Sequence, residues 1–572
     1  HRERPMAQIA RNSKIYDAVI IGSGAGGGMA AYVLTQAGAN CLMLEAGDWY
    51  DTATQSHMLE WPYDAPHRGE GGGTSSWGYF DACVGGWQVK GEPYVNAPGT
   101  DFMWWRARML GGRTNHWGRI ALRMGPYDFK PYSRDGKGFD WPITYADLAP
   151  HYDAVEGLIG VFGSAENLEN TPDGNFLPPP RPRCFELMIQ QASRRLAIPC
   201  IPSRLAIITQ PLNGRPACHY CGQCGRSCAT SSNFSSPTVL LPPALATKKL
   251  EIRTGAMARE ILLGPDGRAR AVSYIDKKTR RERQVRGRVI ILAASACESA
   301  RLLLNSKSSS FPDGLANSSG VVGKYLMDTV GASMSGHIPK LLDLPPHDED
   351  GVGGMHVYMP WWNYDKQLRG KMPFARGYHI EVGGGHNIPG AYVLSGSERY
   401  LGGGYGTELK RGLRRLWGSF IGFDCRGEMI PNDNSYCEID PNVVDEYGIP
   451  VLRFHFKWSE DEILMARHAQ TTFRGLIEGC GGTVTGFQTA ADNWGISHGG
   501  EIIHEVGTVR MGADRRTSPL NAWAQAWDVK NIFVTDGGPF VSNADKNPTL
   551  SIMALAHRTA GHIADLVRRG EV

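Results

Sequence analysis

Apolar and polar positions follow two different periods along this chain, and the changes of period predict its elements. Asp17-Ala18-Val19-Ile20-Ile21 is a short apolar run that reads as a buried strand. Glycines follow it, then a helical stretch from Met29 to Ala37, and a second apolar strand, Asn40 to Leu44, that ends at Glu45. Far downstream, Val289-Ile290-Ile291-Leu292 is another continuous apolar run turning into a helix before Ala300. Ile532-Phe533-Val534 is a further one, ending at Asp536-Gly537, and Asn547-Pro548 opens a helix towards Leu566. Strands apolar on both faces belong to parallel sheets covered by helices. Between these runs the period is two. Gly331 to Ile338, Met355 to Met359, Gly377 to Val382 and Val451 to Phe456 alternate as half-buried strands do, which predicts an antiparallel sheet.

The first turn carries a specific signal. Gly22-Ser23-Gly24-Ala25-Gly26-Gly27 is G-x-G-x-x-G between a strand and a helix, with Glu45 about twenty residues on. In such a turn Gly22 makes the bend, Gly24 lets a pyrophosphate reach the backbone, Gly27 lets helix pack on strand, and Glu45 holds a ribose hydroxyl. The expected fold class is mixed α/β: a Rossmann-type dinucleotide domain, discontinuous in sequence, with an antiparallel-sheet substrate domain. The first takes residues 14–48, 104–130, 205–330 and 496–572, including a cysteine-rich loop at 216–230. The second takes 49–103, 131–204 and 331–495. The motif alone does not separate NAD from FAD, but a dinucleotide domain built from both ends of a chain suits an embedded flavin.

Composition narrows the class. A chain of 572 residues holds more than one domain-sized unit, and 42% hydrophobic with 20% charged residues is ordinary for a globular protein. A formal net charge of +3 without a basic stripe gives no nucleic-acid signature. The densest positive run, Lys277-Lys278-Thr279-Arg280-Arg281, reads as a hairpin turn. No apolar run reaches the roughly 18 residues a membrane helix needs. The polar start, His1 to Met6, has no apolar core of a secretory signal, so none is expected. Gly69–Gly91, rich in Gly and Trp, reads as an ordered insertion near the active site or as a partner surface.

Four of the twelve cysteines fall in one loop, Cys218, Cys221, Cys224 and Cys228, spaced C-x2-C-x2-C-x3-C. That spacing is the iron–sulfur run, and a single loop around a compact cluster fits it best. Structural zinc usually splits its ligands into two distant pairs, and disulfides between such close neighbours would be strained; both stay open as alternatives. In two-cluster ferredoxins the fourth cysteine serves the other cluster and precedes proline. Here Cys228 precedes Ala229 and there is no second quartet, so a 3Fe–4S and a 4Fe–4S cluster are both open.

The chain resembles the glucose–methanol–choline (GMC) oxidoreductases over most of its length. The resemblance rests on the Gly22–Gly27 fingerprint, Met109-Leu110-Gly111-Gly112-Arg113-Thr114-Asn115-His116-Trp117-Gly118, the Ala293–Arg301 segment, His504-Glu505-Val506-Gly507-Thr508, and Asn531 to Leu555. It implies FAD as cofactor. It also implies that Gly111, Gly112, Asn115 and His116 cover the flavin, that Met257 and Ala258 lie by the adenine, and that Asp536 and Gly537 meet the ribityl–pyrophosphate region. Some relatives attach FAD through the histidine of a T-H-W triplet, and Thr114-Asn115-His116-Trp117 differs from it by one inserted Asn. In the family a histidine and a second His or Asn face the reactive nitrogen N5, and His504 and Asn547 match them. An alcohol dehydrogenation needs a base for the hydroxyl proton, and imidazole titrates near neutrality. Plainer roles compete: Asn547 before Pro548 suits a helix N-cap, and His504 can sit in a core. The nearest likeness is to glycoside 3-dehydrogenases, which implies oxidation of a pyranoside at C3 to a 3-keto sugar. Met355 to Tyr358, Arg376, His379 and Glu381 are candidate pocket residues. Electrons would pass through the iron–sulfur cluster to a small subunit or cytochrome c, with periplasmic location by co-export, or else cytoplasmic location. Alternatives are an oxidase using dioxygen, with zinc on the cysteines, and a non-catalytic flavin-binding subunit.

Overall fold

The computed structural model describes residues 10–60, 64, 84–345, 349–386, 401, 404–486 and 488–572. The Gly69–Gly91 insertion lies largely outside them, as does the polar start. The strand Ala10–Ile21 is the spine of a seven-stranded sheet. It runs parallel to Arg281–Leu292 on one side and Cys41–Leu44 on the other, with Ala18 opposite both Val289 and Cys41. Leu250–Arg253 extends that edge in parallel. Ile532–Val534 joins the far end of Arg281–Leu292, also in parallel. Ala256–Leu263 and Ala269–Asp276 complete the sheet as an antiparallel meander.

A parallel pair needs a crossover, and the helix Ala25–Gln36 supplies it between the first two strands. Helix Thr549–Arg569 packs beside Ala25–Gln36, so the two ends of the chain meet over one sheet. Val19, Ile20, Ile290, Ile291 and Phe533 are fully buried, as continuous apolar strands between helix layers require.

The second, four-stranded sheet is antiparallel, in the order Tyr378–Gly384, Phe420–Gly427, Val330–His337, Thr483–Val484. One face packs on the helix Glu460–Gly479 through Ile421, Phe423 and Cys425 against Met465, Phe473 and Ile477. The four alternating segments do not share one sheet as expected. Pro450–His455 pairs with Tyr436–Val444 and Val95–Asn96, and Val357–Tyr358 pairs with Ile201–Pro202. The central strand Phe420–Gly427 is missing from the sequence reading, because Gly422, Asp424, Arg426 and Gly427 hide its strand character. Period two identifies a strand but not its partner, which distant segments decide. Among the described residues no helix is long and apolar enough to cross a membrane.

Candidate active site

One cavity opens at the carboxyl ends of Ala10–Ile21 and Cys41–Leu44, the place where open parallel sheets bind ligands. Gly22, Gly24, Glu45, Gly112, His116, Met257, Ala258, Asp536, His504 and Asn547 all line it. Gly22 has φ +102°, and a Cβ there would come within 2.3 Å of the Ala293 carbonyl oxygen. At Gly24 a Cβ would meet nothing within 4 Å among the described residues. Its bare backbone and the helix N-terminus behind it make a cradle for a pyrophosphate. Gly26 is as constrained as its neighbours and escaped the sequence reading. A Cβ there would stand 1.9 Å from the Thr535 carbonyl, so this glycine docks the fingerprint helix on the C-terminal strand.

The remaining predicted residues divide into wall and support. Glu45 accepts from the backbone N–H groups of Gly47 (2.7 Å) and Ser23 (3.2 Å) and from the Ser23 hydroxyl, and burial raises its pKa. Asp536 accepts from Ser295 N (3.1 Å), Gly538 N (2.7 Å) and the Ser299 hydroxyl. Burial lifts its pKa to about 6. Gly27, Gly111, Asn115 and Gly537 are not on the cavity surface. Asn115 is buried and donates to the carbonyls of Leu110 (2.8 Å) and Gly112 (3.2 Å), which shapes the loop from behind. His116 takes the indole N–H of Trp105 on Nε2 at 3.0 Å. Burial, then the charges of Arg119 and Arg113, bring its pKa down to about 3.

His504 and Asn547 arrive from different elements and converge. Asn547 Nδ2 lies 3.5 Å from His504 Nε2 and donates to Glu381 Oε1 at 3.3 Å. A carboxylate only accepts, so Glu381 fixes which end of the amide is the donor. Asn547 Oδ1 is buried with no hydrogen-bond partner among the described residues. The expected cap is not made: the helix begins at Thr549 with Pro548 as its N-cap, and no side chain caps it. The amide is thus left for the cavity, which Pro548 and Thr549 also line. His504 Nδ1 lies 2.9 Å from Thr329 Oγ1, which also accepts from Asn543 Nδ2 at 3.1 Å. If Nδ1 carries the proton and donates to Thr329, Nε2 is left bare as a base. Burial, then Arg426, depresses the His504 pKa to about 3, with Glu381 opposing. Burial would raise Glu381, but Arg426 and His379 beside it bring it down to about 2.

The His504 loop is held under strain. Ile503 has φ +64°, a left-handed conformation that a β-branched residue rarely adopts. Asp328 accepts from the backbone N–H groups on both sides of it, Ile502 (3.3 Å) and His504 (3.0 Å). Arg113 donates to the Ile503 carbonyl at 3.3 Å and pairs with Glu505 at 2.5 Å, tying the Gly111–His116 loop to the histidine loop. Burial and neighbouring Glu505 push Asp328 up to about 7. Asp328 and Thr329 carry no local motif, so only the fold reveals them.

Two family models, both described as GMC oxidoreductase, match residues 189–331 and 431–556. The chain belongs to the GMC oxidoreductase family. It is 29% identical over 560 residues to a 2-methyl-1,2-propanediol dehydrogenase of Mycolicibacterium austroafricanum, covering 96% of this chain and 95% of that protein. It is 28% identical over 566 residues to a 6'''-hydroxyparomomycin C oxidase of Streptomyces lividus, covering 96% and 92%. Among solved structures, the crystal structure of pyridoxine 4-oxidase from Mesorbium loti aligns with a TM-score of 0.61 at 16% identity, over 96% of this chain and 99% of that one. The protein is therefore an oxidoreductase acting on CH–OH groups, of mixed α/β fold, and the family implies FAD. The glycine cradle and the helix N-terminus fit such a cofactor.

The cysteine run, Cys218 to Cys228, lies inside the first matched segment, residues 189–331. Among the described residues no three His, Cys, Asp or Glu side chains converge so as to hold a metal ion. Cys218, Cys221, Cys224 and Cys228 are all free thiols, the first two half-buried and the last two buried. Cys218 Sγ accepts from Tyr220 N at 3.3 Å, and Cys228 Sγ lies 3.3 Å from Thr230 Oγ1. Burial, with the neighbouring cysteines of the run adding to it, raises the Cys218 and Cys221 pKa values to about 12 and about 11. The loop is held by arginines instead. Arg119 donates to Cys224 O (2.5 Å) and to Asn115 O (2.8 Å), joining it to the Gly111–His116 loop. The ligand set read from the spacing is not supported among the described residues. Arg376, a candidate pocket residue, is also reassigned: it is buried in ion pairs with Asp135 and Glu428. His356 receives Val352 N at 3.2 Å and stands by Glu186, not by His504 and Asn547.

Proposed function

We propose that this GMC oxidoreductase oxidises a secondary hydroxyl of a sugar or glycoside, at C3 of a pyranoside, with His504 as the base. FAD, when bound, supplies the acceptor for the hydride. The observation that carries the reading is the convergence of His504 Nε2 and Asn547 Nδ2, 3.5 Å apart, on the wall of a cavity built for a dinucleotide. A depressed pKa keeps His504 neutral, so Nε2 can take the hydroxyl proton while the carbon-bound hydrogen leaves as hydride. Asn547 holds the substrate oxygen, its amide set by Glu381. The propanediol and the hydroxyparomomycin named for the two relatives support a substrate with more than one hydroxyl. The position C3 rests on the likeness to glycoside 3-dehydrogenases.

The electrons leave afterwards to an acceptor outside the chain, read here as a small subunit or a cytochrome c. The test is anaerobic: the yellow protein is mixed with sugars and glycosides, bleaching of the flavin is followed, and the product is identified by NMR. A 3-keto sugar is the expected product. Bleaching by no sugar, or oxidation at another carbon, overturns the corresponding part of the reading.

A further inference from the structure

We propose that Lys546 is a positioning residue for the reaction: its ammonium, gripped by two buried carboxylates behind the cavity wall, fixes the turn that presents the Asn547 amide beside His504. The inference rests on the reading of Asn547 as the group that holds the substrate oxygen, and it concerns what holds Asn547.

Asn547 ends a segment that secondary structure does not secure. Among the described residues, Val541 to Asn547 make no backbone-to-backbone hydrogen bond. The helix that follows starts at Thr549 without a side-chain cap. Every residue of the segment is buried, so its backbone has to be placed by other means, and side chains do it. Ser542 Oγ accepts from Trp141 Nε1 at 2.8 Å and donates to the Asp128 carbonyl at 3.2 Å. Asn543 Nδ2 donates to Thr329 Oγ1 at 3.1 Å, and His379 Nδ1 donates to the Asp545 carbonyl at 2.5 Å.

The tie next to Asn547 is ionic. Lys546 Nζ stands 2.9 Å from Asp128 Oδ2 and 2.5 Å from Asp545 Oδ1, with Tyr364 Oη at 3.4 Å. Asp128 is itself anchored in the short helical turn Pro126–Phe129. It accepts from Gly125 N at 2.7 Å and from Asn170 Nδ2 at 2.9 Å. Asp128 thus grips the segment twice, by its carbonyl at Ser542 and by its carboxylate at Lys546. Burial would lower the Lys546 pKa, but Asp128 and Asp545 hold it well above the usual value, so the group stays an ammonium.

Lys546 is 4% exposed and is not on the cavity surface, whereas Asn547 lines it. The lysine therefore acts through its neighbour. That neighbour has few ties of its own, since its contacts with Glu381 (3.3 Å) and His504 (3.5 Å) are long. A buried ion pair is weak evidence for stability, because neutral groups of like volume often serve a fold as well. What the charges add is one fixed geometry beside the reacting atoms, where a displacement of about 1 Å can cost a hundredfold in rate.

The test compares three proteins with the wild type: Lys546→Met paired with Asp545→Asn, Asn547→Ala alone, and all three changes together. The pair removes one charge of each sign and leaves Asp128 its bonds from Gly125 and Asn170, so the fold and the yellow colour should persist. Flavin bleaching by methyl glucoside is followed anaerobically, beside thermal melting and a crystal structure of the paired variant. The saturated bleaching rate of that variant should fall about tenfold or more, with a smaller change in KM. Adding Asn547→Ala to it should cost much less than in the wild type, because both changes act through one amide. In the crystal the amide should have moved away from the 3.5 Å it keeps from His504. An Asn547→Ala cost that is undiminished in the paired variant, or an amide still at its wild-type distance, overturns the proposal. Lys546→Arg replaces the pair if that protein does not fold, since its wider planar head should displace the turn while keeping the charge. Where methyl glucoside does not bleach the wild type, the crystal structure alone decides. An Asn547→Ala protein that bleaches as fast as the wild type removes the underlying reading instead, which keeps the two failures apart.

Discussion

His504 and Asn547 stand 43 residues apart in sequence and meet in space, whereas among the described residues four cysteines packed into eleven residues show no convergent ligand set. The first region has the weaker local signal and the stronger geometry. The difference lies in what surrounds each. Around His504, Asp328 and Thr329 bind its backbone and ring, and Glu381 orients its neighbour. Around the cysteines, arginine side chains and backbone bonds hold the loop, and burial favours neutral thiols. Proximity in sequence supplies ligand atoms, but only a supporting shell aims them.

The largest effect expected is at His504. Replacing it by alanine should lower kcat by about 10²–10⁴-fold, the worth of positioned base assistance. FAD should remain bound, which the visible spectrum of the purified variant checks. Near-normal turnover would break the contrast, because another base would then be at work. Asn547→Ala comes next. Losing a hydrogen bond to developing charge is worth about 1.5–3 kcal/mol, roughly tenfold to a hundredfold in kcat/KM. Because Asn547 caps no helix bond, its melting temperature should hardly move. A large drop in melting temperature would show that the amide is structural after all.

Arg426→Gln sharpens the electrostatics. Its charge lowers the His504 pKa, so removing it should raise that pKa from about 3 and move the acid limb of kcat/KM to higher pH. The sign for stability follows the same group. A neutral buried histidine contributes stability that is present above its unfolded pKa of about 6.5. That contribution is lost as pH falls from there through the folded value of about 3. An acid limb that stays put in Arg426→Gln would mean that this charge does not act on the base. The smallest effect belongs to the cysteine loop. Cys221→Ser, at a half-buried thiol, should leave flavin bleaching unchanged and shift stability by no more than about 0.5 kcal/mol. A loss of bound iron or a collapse of the fold in this variant would erase the contrast between the two regions.

How far each feature can be read from sequence depends on how local its cause is. The glycine fingerprint is legible because strand, turn, helix and acid all lie within about thirty residues. The parallel strands are legible because burial on both faces leaves unbroken apolar runs such as Val289 to Leu292. The antiparallel sheet is only half legible. Gly331–Ile338 and Gly377–Val382 show their alternation, but Phe420–Gly427 between them carries glycines and charges on its open face. Asn547 before Pro548 looks like a cap by local rules, and only the position of Glu381 shows otherwise.

The pairing of Ala10–Ile21 with Arg281–Leu292, and of that strand with Ile532–Val534, has a consequence for biosynthesis. The first strand leaves the ribosome with an edge that must wait for a partner about 270 residues later, and the cavity is not closed until Asp536 and Asn547 follow. Closing contacts at such separation is slow. While synthesis runs, the unpaired Val19 to Ile21 edge is exposed to other chains, which makes the nascent polypeptide a natural client for chaperones. No intermediate length contains a finished cofactor site, so a ribosome that stalls before the last strand releases a chain unable to retain its flavin.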